Sequence, residues 1–184
     1  MTAGSAGGAV EPDFDCRHRQ VDDAVPPDCR ESGSGETKMF GEQPAGEYGR
    51  VILFTGKQRG GADGGPVCRF ILNGRSGVLL DIGRIDCFAI EPHHHTQTPV
   101  MNEAGECPVE IRTDLAEAGK RLNLEEWESC AAQAVKWLRD DFVRELGESG
   151  WGEWVTRAVE RDKSALVETV ESYLFHNPPS GLAA

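Results

Sequence analysis

The stretch "PVCRFILNGRSGVLLDIGRIDCFAI", residues 66–90, decides the fold. Its first seven residues are an apolar run with one arginine, and "NGRSG" (73–77) interrupts it before the apolar pattern resumes at Val78. Asn73-Gly74 takes up positive φ at both central turn positions at low cost, so the two runs are expected to fold back as a β-hairpin. On the N-terminal side, "GRVILFTG" (49–56) is another short β-branched and aromatic run, joined to the first by the glycine-rich "KQRGGADGG" (57–65). On the C-terminal side, "PVEIRT" (108–113) offers a further short strand, with Pro92, Pro99 and Pro108 as punctuation. Residues 47–115 therefore predict a small antiparallel sheet of about three to five strands.

The pattern changes to helical period after residue 122. Asn123 with Glu126 three residues later is a capping-box signature. Leu124, Trp127, Ala131, Val135, Leu138, Phe142 and Leu146 then recur every three or four residues until Gly147. A second stripe runs from about Gly150 through Trp151, Trp154, Val155, Val159, Leu166, Val170 and Leu174 to the break at Asn177-Pro178-Pro179. Two amphipathic C-terminal helices (123–176) packed against the sheet make the expected fold α+β.

At the other end, residues 1–46 mix Gly, Ser, Pro and acids with scattered apolar residues, and they are expected to form a disordered acidic tail. The expected organisation is this tail, one α+β domain over 47–176, and a flexible terminus over 177–184. Hydrophobic residues are 39% of the 184, below the roughly 45–50% of ordinary globular domains, which agrees with part of the chain staying outside a core.

The net charge of −12 argues against a nucleic-acid binder, which needs a cationic contact face. Charge is unevenly spread: residues 47–100 hold five acids against six bases, while both flanks are acidic. An early secretory signal and a long apolar span are both missing from the pattern, so a cytoplasmic, non-membrane protein with reduced cysteines is expected.

Four groups of residues carry possible chemistry. "CRFILNGRSGVLLDIGRIDCFAI" locally resembles the catalytic-aspartate loop of retroviral-type aspartic proteases, with Asp81 and Gly83 on the pattern. Ile82 stands where that family has Thr or Ser, so the hydroxyl that supports the carboxylate is missing, and Asp81 reads as a turn residue at a strand end. Asp86 and Cys87 are further candidates for catalysis on the same segment. His93, His94 and His95 form the second group. Adjacent strand residues alternate faces, so His93 and His95 can share a metal such as zinc, with Cys87, Glu91 or Cys107 as third ligand. Lying between two prolines, they are expected in an exposed loop. Cys16, His18 and Cys29 in the tail make a weaker ligand set.

Lys57 and Arg59 among glycines could face an anion, although no phosphate-loop spacing surrounds them. Trp137 lies off the apolar stripe; if exposed beside Arg139 and Asp140, it is an anchor for a protein partner. The expectation is therefore an acidic, non-enzymatic interaction or regulatory protein. The alternative is a small hydrolase or metal-dependent protein working around Asp81, Cys87 and His93 to His95.

Overall fold

The computed structural model describes residues 36–40, 48–57, 63–73, 79–99 and 110–184. Six strands form one antiparallel sheet in sequence order: β1 (Glu36–Phe40), β2 (Tyr48–Lys57), β3 (Gly64–Asn73), β4 (Leu79–Asp86), β5 (His93–Gln97) and β6 (Glu110–Asp114). Each strand pairs with the next, and the expected hairpins hold: Lys57 faces Gly64 across β2 and β3, and Asn73 faces Leu79 across β3 and β4. Three helices follow, α1 (Leu124–Asp140), α2 (Phe142–Glu148) and α3 (Glu153–His176), so the fold is α+β with its helices C-terminal.

The sheet carries one strand more than expected, because Glu36–Phe40, assigned from sequence to the tail, pairs along Gly49–Leu53. Residues 1–35, with Cys16, His18 and Cys29, lie outside the described residues, as do Arg59 and Cys107. A second difference is at β5. The three histidines are not in an exposed loop; they form a strand paired on both sides, with all five of its residues buried. Their strand is polar, so the apolar pattern that marks the other strands does not reveal it.

The helical layer follows from its caps and stripes. Asn123 accepts from the Glu126 backbone amide at 3.0 Å, and Glu126 reaches back to the Asn123 amide at 3.1 Å, completing the capping box. The stripe expected as one helix over 123–146 is two segments meeting at Asp141, whose φ of −117° is stretched from the regular helical value while its backbone stays right-handed. At the end of α2, Gly150 takes a φ of +96°, a left-handed turn that favours glycine, and the Trp151 amide closes onto the Leu146 carbonyl.

Three tryptophans pin the layers together through their indole N–H groups. Trp127 donates to the Cys87 carbonyl (2.9 Å), Trp151 to the Gln97 carbonyl (2.6 Å) and Trp137 to Glu145 Oε2 (2.9 Å). Glu145 also accepts from Thr96 Oγ1 at 2.7 Å, so one carboxylate ties α1, α2 and β5. Each polar handle is matched, which lets these large rings be buried without an orphaned donor.

The main core lies between the sheet and the helices and includes Val51, Leu53, Cys68, Phe70, Ile85 and Cys87 from the sheet. The alternate residues Ile52, Phe54, Val67, Ile71 and Phe88 form a second, smaller cluster on the opposite sheet face. Strand alternation assigns neighbours to opposite faces, and this two-sidedness governs what β4 and β5 can assemble.

Candidate metal centre

Four residues of β4 and β5 meet on the face away from the helices. Asp86 is the cross-strand partner of His93, and Arg84 that of His95. Because partners in register share a face, and residues two apart share it too, Arg84, Asp86, His93 and His95 form one square of side chains. Asp86 Oδ2 lies 3.0 Å from His93 Nε2 and 3.4 Å from His95 Nε2. The three side chains are between 1% and 5% exposed.

Their proton inventory explains why this cluster is unusual. His93 Nδ1 lies 2.6 Å from the Glu91 carbonyl oxygen, which can only accept, so Nδ1 carries the hydrogen. In the neutral ring Nε2 is then a bare lone pair, and it is aimed at a carboxylate. His95 Nε2 lies between a donor and an acceptor, 3.2 Å from Arg84 Nη2 and 3.4 Å from Asp86 Oδ2, so its ring can meet either one according to its tautomer. Two imidazole nitrogens and one carboxylate oxygen thus converge, with ligand atoms all within 4.8 Å of one another. With His93 neutral, its Nε2 lone pair faces the Asp86 carboxylate, an opposition that a proton, a guanidinium or a metal ion relieves.

Arg84 supplies part of that charge. Its Nε and Nη2 each lie 2.8 Å from Asp86 Oδ2, and its side chain is 32% exposed, the one member of the square that reaches solvent. Burial works against ionising Asp86, but hydrogen bonds from the His93 and His95 rings when a proton sits on their Nε2 atoms, together with the charge of Arg84, outweigh it and hold the carboxyl well below its usual range.

The approach to β5 is held by a carboxylate that composition gives no reason to single out. Asp63, which is buried, accepts the amides of Gly64 and Ala89 on Oδ1 (2.8 and 3.0 Å) and of Ile90 and Glu91 on Oδ2 (2.9 and 3.1 Å). Three of these N–H groups, those on Ala89, Ile90 and Glu91, fix the turn between β4 and β5 and tie it to the start of β3. They thereby fix the Glu91 carbonyl that orients the His93 ring, the kind of support metal-binding imidazoles ordinarily have.

The other candidates fall elsewhere. Asp81 sits on β4 beside a bulge at Ile82 and binds Arg69 Nε at 2.5 Å, a cross-strand ion pair with both side chains 15% exposed. Ile82 is the extra residue of the bulge and is fully buried in the helix-side core, so the position where proteases of the resembled family carry a hydroxyl here serves packing. Cys87 does not join the histidines. It follows Asp86 and so faces the helices, and burial, together with the Asp86 charge, pushes its thiol up, away from the thiolate a metal needs. Cys68, Cys87 and Cys130 are free thiols. Lys57 ends β2.

His94 points to the helix side and stacks on Trp137. Trp137 is therefore not a surface anchor: it is 4% exposed, wedged between His94 and Phe142, while Arg139 and Asp140 beside it are exposed. The off-stripe position reflects a ring that leans toward the sheet rather than into the helix pair. Asp86 was legible as a candidate, whereas Arg84, Asp63 and Glu145 were not. The spacing Arg84-x-Asp86 with His93-x-His95 holds the signal for the square, but only the β4–β5 register makes it readable.

Among the described residues, no helix is long and apolar enough to cross a membrane. Comparison with protein-family models, curated proteins and solved structures found no match for the chain.

Proposed function

We propose that this protein is a metal-dependent protein that binds one divalent first-row transition metal through Asp86 Oδ2, His93 Nε2 and His95 Nε2. The observation that carries this reading is the convergence of three buried potential ligand atoms within 4.8 Å of one another, with the His93 hydrogen held on Nδ1 by the Glu91 carbonyl so that its Nε2 faces the carboxylate. A tetrahedral ion with bonds of about 2.0–2.1 Å sets its ligand atoms about 3.3–3.4 Å apart. The 3.4 Å separation of Asp86 Oδ2 from His95 Nε2 matches that edge, and the 3.0 Å separation from His93 Nε2 is about 0.3 Å shorter than it. Two imidazoles and a carboxylate suit zinc, iron or cobalt better than calcium or magnesium.

Three protein ligands leave at least one coordination position open, the arrangement of reactive rather than purely structural metal sites. A metal so held acts as a Lewis acid and lowers the pKa of a bound water, which favours hydrolytic chemistry. The competing reading, an acidic protein-binding module, had Trp137 as one suggested anchor, and that ring is buried.

The test is metal analysis of the purified protein, followed by cobalt(II) titration of the chelator-stripped chain. One equivalent is expected for wild type and for His94→Phe, whose side chain faces the helices. Asp86→Asn and the His93→Ala/His95→Ala pair should bind at least about a hundredfold more weakly, with circular dichroism checking that each variant is folded. Stoichiometric binding that survives the double alanine change sinks the proposal, as does a folded wild type that takes up no metal.

A further inference from the structure

We infer that the cleft between the end of the β2–β3 hairpin and the turn after α3 is a binding site for a small organic anion, and that Arg121 holds its carboxylate or phosphate group. This site is separate from Asp86, His93 and His95 and does not depend on the metal reading.

The cleft is built by close backbone approach. It holds about 310 Å³, at the small end of the range for small-molecule sites. One side is the hairpin end, where Gly56 faces Gly65 across β2 and β3, and the other is the turn through Pro179, Ser180 and Gly181. Pro179 sits against Gly65: a Cβ added there would lie 2.9 Å from Pro179 Cγ and 2.4 Å from the Cys87 carbonyl oxygen. Beyond that contact the turn is tied to the segment leading into α1. The Ala183 amide donates to the Leu122 carbonyl at 2.8 Å, and Arg121 donates through Nη1 to the Gly181 carbonyl.

The charges in the cleft select the ligand. Asp63 and Arg121 are the two ionic side chains that line it. Asp63 accepts two backbone amides on each carboxylate oxygen, which uses the roughly four lone-pair sites a carboxylate offers. It therefore has little left for a cationic ligand. Arg121 is the reverse case. Arg69, Arg84, Arg112, Arg144, Arg157 and Arg161 each meet a carboxylate. Arg121 meets none among the described residues and spends one N–H on a carbonyl, in a chain whose net charge is −12. Its Nε and Nη2 remain to grip a pair of oxygens, the geometry a guanidinium offers to a carboxylate or a phosphate. The Gly181 carbonyl already holds the side chain in place, so less freedom is lost when the ligand arrives. Ser180, next to that carbonyl, adds a hydroxyl to the same side of the cleft.

Amide NMR of the chelator-stripped protein, titrated with inorganic phosphate and separately with acetate, locates binding and measures it together. Saturable shifts are expected at Gly64, Gly65, Ser180 and Gly181. Whichever anion binds more tightly distinguishes a phosphoryl from a carboxylate ligand. In Arg121→Gln the affinity should fall about tenfold or more, the loss expected for a charge-assisted pair of hydrogen bonds. Arg121→Lys, which keeps the charge without the planar fork, should recover only part of it. Arg139→Gln is the control: Arg139 is exposed on α1, meets no carboxylate among the described residues and lies outside the cleft, so this variant should bind like wild type. The spread of amide signals shows whether each variant is folded. The inference is overturned by shifts that saturate with neither anion, by shifts centred away from the cleft, or by affinity that is equal in wild type and Arg121→Gln.

Discussion

His94 lies flat against Trp137, ring centroids 4.1 Å apart and planes 20° from parallel, while the histidines on either side of it turn to the opposite face of the sheet. One triplet thus does two jobs. The middle ring packs β5 on α1, and the outer two meet Asp86 on the other face.

Trp137→Ala should therefore cost stability without touching metal affinity. The ring is 4% exposed and also packs at 4.7 Å on Phe142, so its removal opens a cavity worth about 3–5 kcal/mol and strands the Glu145 hydrogen bond. Urea unfolding should show the midpoint dropping, with cobalt affinity of the folded fraction unchanged. A stability loss under about 1 kcal/mol would mean that the stack does not hold β5 to α1.

Acid should destabilise the metal-free protein in two stages. Burial, then the nearby His95 and His93 rings, push His94 down to about 4, against the opposing pull of Asp141. An unfolded histidine titrates near about 6.5, so between those values the unfolded chain binds the extra proton. Stability is therefore fully present above about pH 6.5 and is lost as pH falls toward 4. Asp86, held low in the folded state, adds a second loss only below the ordinary carboxylate range. Thermal melts of chelator-stripped protein at pH 7.5 and 5.5 should show the drop, and His94→Phe should flatten it.

Gly83→Ala probes the contact between the two layers from the sheet side. An added Cβ would lie 2.8 Å from Phe142 Cε2 and 2.9 Å from the His95 carbonyl oxygen. The ring can shift, but the carbonyl belongs to the β4–β5 ladder, so the strand must move. A loss of about 1–3 kcal/mol is expected from such overpacking, read by urea unfolding. Metal affinity should also fall, because the displaced strand carries His95. A neutral substitution would mean that the strands have slack at this position.

The sheet and helices were legible because their signals are local. The apolar runs of β2, β3 and β4, the capping box at Asn123 and the 3.6-residue stripe each act within a few positions. β5 was not legible, since "HHHTQ" has no apolar alternation and its burial comes from pairing with β4 and β6. The face separation of His93 and His95 from His94 followed from strand geometry alone, but placing Asp86 rather than Cys87 beside His93 and His95 needed the register. One residue of slip would exchange them, because side chains alternate with period two. Trp137 misled for a related reason: the helix wheel treats the helix pair as the only neighbour, while its ring packs on a sheet residue 43 positions upstream.

Asp63 offers the sharpest separation between building the site and belonging to it. Its hydrogen bonds run to neither the histidines nor Asp86, yet its carboxylate accepts four backbone amides, three of them at the entry to β5 and one from Gly64 at the start of β3. Asp63→Ala leaves four N–H groups without their acceptor, and the buried ones among them cost about 1–3 kcal/mol apiece if water does not reach them. Asp63→Asn keeps one oxygen and turns an amide N–H₂ against two donors, so it should recover only part of the loss. The turn carries the Glu91 carbonyl that sets the His93 ring, so cobalt affinity should fall by about 10–100-fold in the folded fraction of either variant, as for other supports behind a metal-binding imidazole. Cobalt titration alongside urea unfolding separates the two effects. If Asp63→Asn unfolds more easily but binds cobalt like wild type, then Asp63 supports the turn alone, and the His93 ring takes its aim from elsewhere.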